Sequence, residues 1–180
     1  TKFYIQNVLN SILQKYKVRS FTELAILIKP YHIEIRQTKN GTGRIGISYG
    51  LNNEKGYQTR FINGSIVHPS LSGPKLHEVF EKNKSSKLLP MVKKRLEKQI
   101  RTTYKLFRTI NPEHLPDILK SHQDLNCLLN YDENGMAVDF DIYDKSGYVL
   151  RSDEIANDIG IQENPELFES ENTQINEESE

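Results

Sequence analysis

The sequence predicts an α+β chain: two modules, each a helix plus a three-stranded antiparallel meander, joined by a long basic helix. Three observations predict it. Runs with apolar residues every three or four positions alternate with runs in which every second residue is apolar. That succession, a helix and then three short strands, occurs twice. Between the two occurrences, Lys87 to Arg108 reads as one uninterrupted helix.

The elements follow in order. Ile5, Val8, Leu9, Ile12, Leu13 and Tyr16 share one face of a helix over Phe3 to Tyr16. Ser20 and Glu23 have the spacing of a capping box and open a second helix. It carries Leu24, Leu27 and Ile28 and ends by Pro30. His32 to Thr38 alternates as a strand, and Lys39 to Gly43 is a turn. Arg44 to Leu51 is a second strand with Ile45, Ile47, Tyr49 and Leu51 on one face. Asn52 to Gly56 is the next turn and Tyr57 to Ile62 a third strand. Val67 to Gly73 reads as a loop. Pro74 then starts a short helix with Leu76, Val79 and Phe80 inward.

Lys87 to Arg108 comes next. Leu89, Val92, Leu96, Ile100, Thr103 and Phe107 line its apolar face, and Pro90 sits in its first turn. Lys87, Lys94, Lys98, Arg101, Lys105 and Arg108 form a cationic stripe on the opposite face. Glu97 is the single acid in that stretch, so i,i+4 ion pairs do not account for the charge.

The pattern then repeats. Asn111 caps a helix with Pro112 at its first position and Leu115, Ile118 and Leu119 inward. Leu125 to Leu129 is a strand and Tyr131 to Gly135 a turn. Met136, Val138, Phe140 and Ile142 alternate with Ala137, Asp139 and Asp141, which places the two acids on a solvent face. Asp144 to Gly147 is a turn, and Tyr148 to Arg151 a strand. GYQTR at Gly56–Arg60 mirrors GYVLR at Gly147–Arg151 at an offset of 91, and Ile33 meets Leu125 at an offset of 92. A degenerate tandem repeat follows from that register. The expected domains are 1–86 and 110–168 as modules, 87–109 as a basic connecting helix and 169–180 as an acidic disordered tail.

Charge is divided along the chain. Residues 1–108 hold 21 of the 24 Lys/Arg and 6 of the 24 Asp/Glu. The remainder is as acidic as the first part is basic, so the net charge of zero hides two opposed halves. A basic portion of this size points to a polyanionic partner, or to an acidic half that folds back on it. No apolar run reaches the length of a membrane span. The single cysteine, Cys127, suits a reducing compartment and lies in an apolar strand, which makes it a buried thiol.

Catalytic patterns are missing. His32, His68, His77, His114 and His122 have no HxH or HExxH spacing. GTGRIG at Gly41–Gly46 enters a strand, not a helix, and so is not a phosphate loop. Asp139, Asp141 and Asp144 lie near each other in sequence, but a solvated strand face is the commoner use of such spacing. The expectation is no catalytic residue, no metal and no cofactor.

Two long stretches carry a resemblance. NVLNSILQKYKVRSFTELAILIKPYHIEI, with GISYGLNNEKGYQTRFINGSI and LHEVFEKNK after it, resembles the region following the catalytic domain of bacterial relaxase/mobilisation nucleases. NYDENGMAVDFDIYDKSGYVLRSDEIA resembles the next segment of the same proteins. The likeness spans roughly residues 3 to 168 and is one of pattern and order. It implies a parent protein that nicks and leads a DNA strand of mobilisable or conjugative elements. The family's tyrosine nucleophile and metal-holding histidines have no counterpart here: Tyr4, Tyr16 and Tyr31 lack an HxH partner. The chain departs from the family at FINGSIVHPSLSG, where a small basic Ser-rich segment is usual, and at RSDEIA, where an Asn-Gly-Ser-Arg-like turn is usual. The resemblance therefore implies a cytoplasmic, non-catalytic region that binds DNA backbone without reading bases. Lys87, Lys94, Lys98, Arg101, Lys105 and Arg108 are its candidate contacts. Docking to accessory mobilisation or coupling proteins through the acidic module is the alternative.

Overall fold

Apolar periodicity at the two ends of the chain builds two separate cores. The computed structural model describes residues 1–39, 41, 43, 45–52 and 59–168. It divides into two compact units, Thr1–Ser86 and Lys87–Glu180. The first unit holds 13 Lys/Arg and 5 Asp/Glu, the second 11 and 19, so the units carry +8 and −8.

In the first unit, α1 (Lys2–Lys15) buries Ile5, Leu9 and Ile12. It ends where Tyr16 turns to extended backbone. Ser20 caps α2 (Phe21–Ile28), its Oγ accepting the Glu23 N–H at 3.1 Å. The Glu23 carboxylate in return accepts the N–H of Arg19, one residue before the cap, at 2.8 Å. His32 then takes left-handed backbone, φ 56°, and turns the chain into β1 (Ile33–Lys39). β2 (Ile45–Leu51) and β3 (Ile62–Asn63) complete an antiparallel sheet in the order β1-β2-β3. α3 (Gly64–Val67), a 3-10 turn at Pro69–Leu71 and α4 (Gly73–Lys84) close the unit. Tyr49 is fully buried, and its hydroxyl donates to the Leu71 carbonyl at 3.0 Å. Gly73 lets α4 start against β2, since a Cβ there would lie 2.2 Å from the Ile45 carbonyl oxygen.

Two expectations change in this unit. The loop expected over Val67 to Gly73 contains that 3-10 turn, and α3 runs into it. The third strand is shorter and later than Tyr57 to Ile62, residues 57 and 58 lying outside the described residues. The Thr59 hydroxyl accepts the Leu51 N–H at 2.8 Å, so a side chain replaces the backbone acceptor that would extend the ladder.

In the second unit, α5 (Leu89–Tyr104) buries Val92, Leu96, Ile100 and Thr103. These join Leu115, Leu119, Phe140, Ile142 and Leu150 in one core. The basic helix is thus a core element of the second unit. It also ends four residues short of Arg108: Lys105 is its C-cap, and the Leu106 N–H bonds the Thr103 carbonyl in a turn. Asn111 Oδ1 accepts the Glu113 N–H at 3.0 Å over a 3-10 turn at Pro112–His114, which runs into α6 (Leu115–Gln123). β4 (Asn126–Tyr131), β5 (Ala137–Tyr143) and β6 (Val149–Arg151) form a sheet in the order β4-β5-β6, followed by α7 (Ser152–Ile155).

Both units therefore place a three-stranded antiparallel sheet after a helix. Both enter the first strand through a left-handed residue, His32 and Asp124. The register differs from that read in sequence. Ile35 pairs with Tyr49 and Cys127 with Ile142, so the buried middle-strand residues correspond at 142 − 49 = 93. A register shift at Asn130/Tyr131 takes up part of the difference. The five-residue match does not mark one shared position: Val149–Arg151 form β6, while Thr59 and Arg60 precede β3. Gly56 to Gln58 and the acidic segment 169–180 lie outside the described residues.

Candidate nucleic-acid interface

The core spacing of α5 fixes where its cations go. With Val92, Leu96, Ile100 and Thr103 inward, Lys94, Lys98 and Lys105 fall on the opposite side within a sector of about 40° at 100° per residue. They span a rise of about 16 Å. All three are exposed, as are Lys87 just before the helix and Arg108 just after it. None of these five forms an ion pair among the described residues.

Arg101 stands apart from the other five candidates. Its Nε donates to Glu97 Oε1 at 2.9 Å and its Nη2 to Asp158 Oδ1 at 2.5 Å. The bonds to Asp158 and Glu97 raise its pKa further, and the first of them holds the Asp158 carboxyl below the usual range. Glu97 supplies the one i,i+4 pair in the stripe, and Asp158, from far along the chain, adds a second partner to the same arginine. Arg95, one step around the helix, is tied too, with Nη2 2.5 Å from Asp144 Oδ2. Burial acts to raise the Asp144 carboxyl. Hydrogen bonds from Ser146 and Arg95 outweigh it and hold the group below the usual range. Acidic residues of the second unit thus neutralise two arginines of α5 and leave the lysines.

The other candidates separate. Asp141 is 1 % exposed, against the solvent-face expectation. β5 is the middle strand, and α7 opens over its second face with the Ser152 hydroxyl donating to Asp139. Asp141 Oδ2 accepts from Asn130 Nδ2 at 3.0 Å, its Oδ1 has no partner among the described residues, and burial raises its pKa. Asp144 points to Arg95 instead. Among the described residues no group of three His, Cys, Asp or Glu side chains is placed to hold a metal. His68 caps the 3-10 turn through Ser70, and His122 meets Phe107 edge-on. Burial pushes the Cys127 thiol up to about 12, which keeps it in the unreactive thiol form. No helix among the described residues is long and apolar enough to cross a membrane.

Sequence places Asp144 in a turn and gives no sign that it pairs with Arg95, or Asp158 with Arg101. Neither has a fixed spacing to its arginine, so no local signal marks them. No protein-family model, no curated protein and no solved structure matches this chain.

Proposed function

We propose that the chain is a non-catalytic region of a relaxase or mobilisation protein that holds the DNA backbone along α5. One observation carries the reading: Lys94, Lys98 and Lys105 are exposed on one line and have no acidic partner among the described residues. Such a line neutralises successive phosphates without touching base edges, so binding is strong at low salt and indifferent to sequence. The resemblance supplies the DNA-transfer setting and the cytoplasmic location. The shared order of helix, left-handed residue and three strands supports a degenerate tandem repeat. Titration of single- and double-stranded DNA at several salt concentrations tests the reading. Binding that ignores salt would end it.

A second reading is docking to accessory mobilisation or coupling proteins. It is favoured by Met91 and Leu106, which are 70 % and 60 % exposed beside the lysines. A protein surface would cover them and DNA would not.

A further inference from the structure

The outer edge of β1 in the first unit carries a different site. The Asn52 N–H donates to the His32 carbonyl at 2.8 Å, so position 32 directs its backbone toward β2. Antiparallel strands alternate, so Glu34, Arg36 and Thr38 also bond β2, opposite Gly50, Ser48 and Gly46. Ile33, Ile35 and Gln37 then turn their N–H and C=O groups away from the sheet. Leu51 agrees with this phase: it bonds Thr59 on the far side of β2. The outward groups of Ile33, Ile35 and Gln37 meet no backbone or side-chain partner among the described residues. Edge strands are commonly guarded by charged side chains, proline, a bulge or a covering segment, and of these β1 shows only charges, on Glu34, Arg36 and Lys39. β1 has no proline and no register shift, and it is exposed from Arg36 to Lys39.

A cleft of about 500 Å³ lies between α2 and this edge. Ala25, Ile33 and Ile35 give it apolar walls, and Lys29, His32, Glu34 and Asn52 line it with polar groups. Asn52 Oδ1 is buried and accepts no hydrogen bond among the described residues. A helix beside an open strand edge, with a cleft between them, is the arrangement that takes an extended peptide as an added strand. Main-chain bonds hold such a peptide, and every second side chain enters the cleft.

Charge selects the occupant. Lys29, Arg36 and Lys39 flank the edge against the single acid Glu34, which pairs with Arg36 at 3.4 Å, and the unit carries +8. Two copies of this edge would repel each other. We propose that β1 binds an extended acidic peptide segment of a partner protein, with apolar residues at alternate positions, as a fourth strand. This site lies in the first unit and does not depend on the DNA reading of α5.

The test is NMR amide exchange on the full chain, titrated with a capped octapeptide of alternating glutamate and valine. Exchange at Ile33, Ile35 and Gln37 should slow. Glu34 and Thr38, already bonded to β2, should not change. Gln37→Pro removes an outward donor that β2 does not use, and should weaken binding roughly three- to ten-fold. Retained protection at Glu34 and Thr38 reports that this variant folds. The same peptide N-methylated on alternate amides should bind the unmodified chain more weakly by a similar factor, and serves if the variant does not fold. Four outcomes would overturn the proposal: no slowing at the outward amides, equal binding of the N-methylated peptide, slowing that grows with protein concentration alone, or slowing by oligothymidylate but not by the peptide.

Discussion

Arg95 Nη2 lies 2.5 Å from Asp144 Oδ2, joining the basic helix to the turn after β5. The two ends differ in surroundings: the arginine side chain is 40 % exposed and the aspartate side chain 3 %. The pair therefore matters chiefly through the carboxylate, which has little water to fall back on.

Arg95→Ala should destabilise the second unit by about 1–3 kcal/mol, the range for losing a hydrogen bond to a charged group. The pH dependence gives a sharper check. The folded Asp144 carboxyl sits below its ordinary value, so its contribution is present above the unfolded pKa and is lost as pH falls through the folded one. Urea titrations from neutral pH down into the acid range should show the variant converging on the parent as Asp144 protonates. A constant difference across that range would assign the effect to packing of the arginine stem.

Asp141 has the opposite sign. Burial holds its carboxyl above the ordinary value, so ionising it works against the fold as pH rises. Asp141→Asn keeps an acceptor for Asn130 and removes that charge. Its stability relative to the parent should rise as pH goes from below 4 to neutrality. A difference that does not move with pH would mean that the Asn130 hydrogen bond and the Arg151 charge cancel the burial.

The two aspartates show what sequence made legible and what it did not. Helix and strand identity came from local periodicity, and every core residue expected on α5 except Leu89 and Phe107 is buried. Those two are partly buried against the same core. Alternation puts Asp141 in solvent only if one sheet face stays open, and α7, a short helix that starts two residues before the one readable over Glu154 to Ile159, packs over β5. The repeat was legible as an order of elements but not as a register, because a strand irregularity and a hydroxyl-for-backbone substitution at Thr59 leave the alternation intact. The cationic line was legible as spacing. Which of its members are neutralised was not, because Asp158 is 57 residues from Arg101.

Leu96 is fully buried in the core of the second unit. Leu96→Ala should cost about 2–5 kcal/mol, as buried leucine truncations do. The loss should appear in amide protection of α5, α6 and β5 and spare β1 and β2, since the first unit has its own core. Equal loss of protection in both units would show that they unfold as one body.

The cations of α5 should divide into two groups when DNA binding is measured against salt. Each phosphate neutralised by a free cation contributes a slope of about −0.7 to −0.9 in log K against log salt. Lys94, Lys98 and Lys105 have no acidic partner among the described residues, so replacing all three with Ala should flatten the slope by roughly two to three units. Lys87 and Arg108 lie off the ends of the helix and should each contribute up to about one unit more. Arg101 already shares its charge with Glu97 and Asp158, so Arg101→Ala should leave the slope nearly unchanged. The contrast separates specific placement from bulk charge. If Arg101→Ala flattens the slope as much as Lys98→Ala, DNA senses only the net charge of the helix. If the triple lysine variant binds with unchanged affinity and slope, the line is a solvated face and docking through Met91 and Leu106 takes precedence.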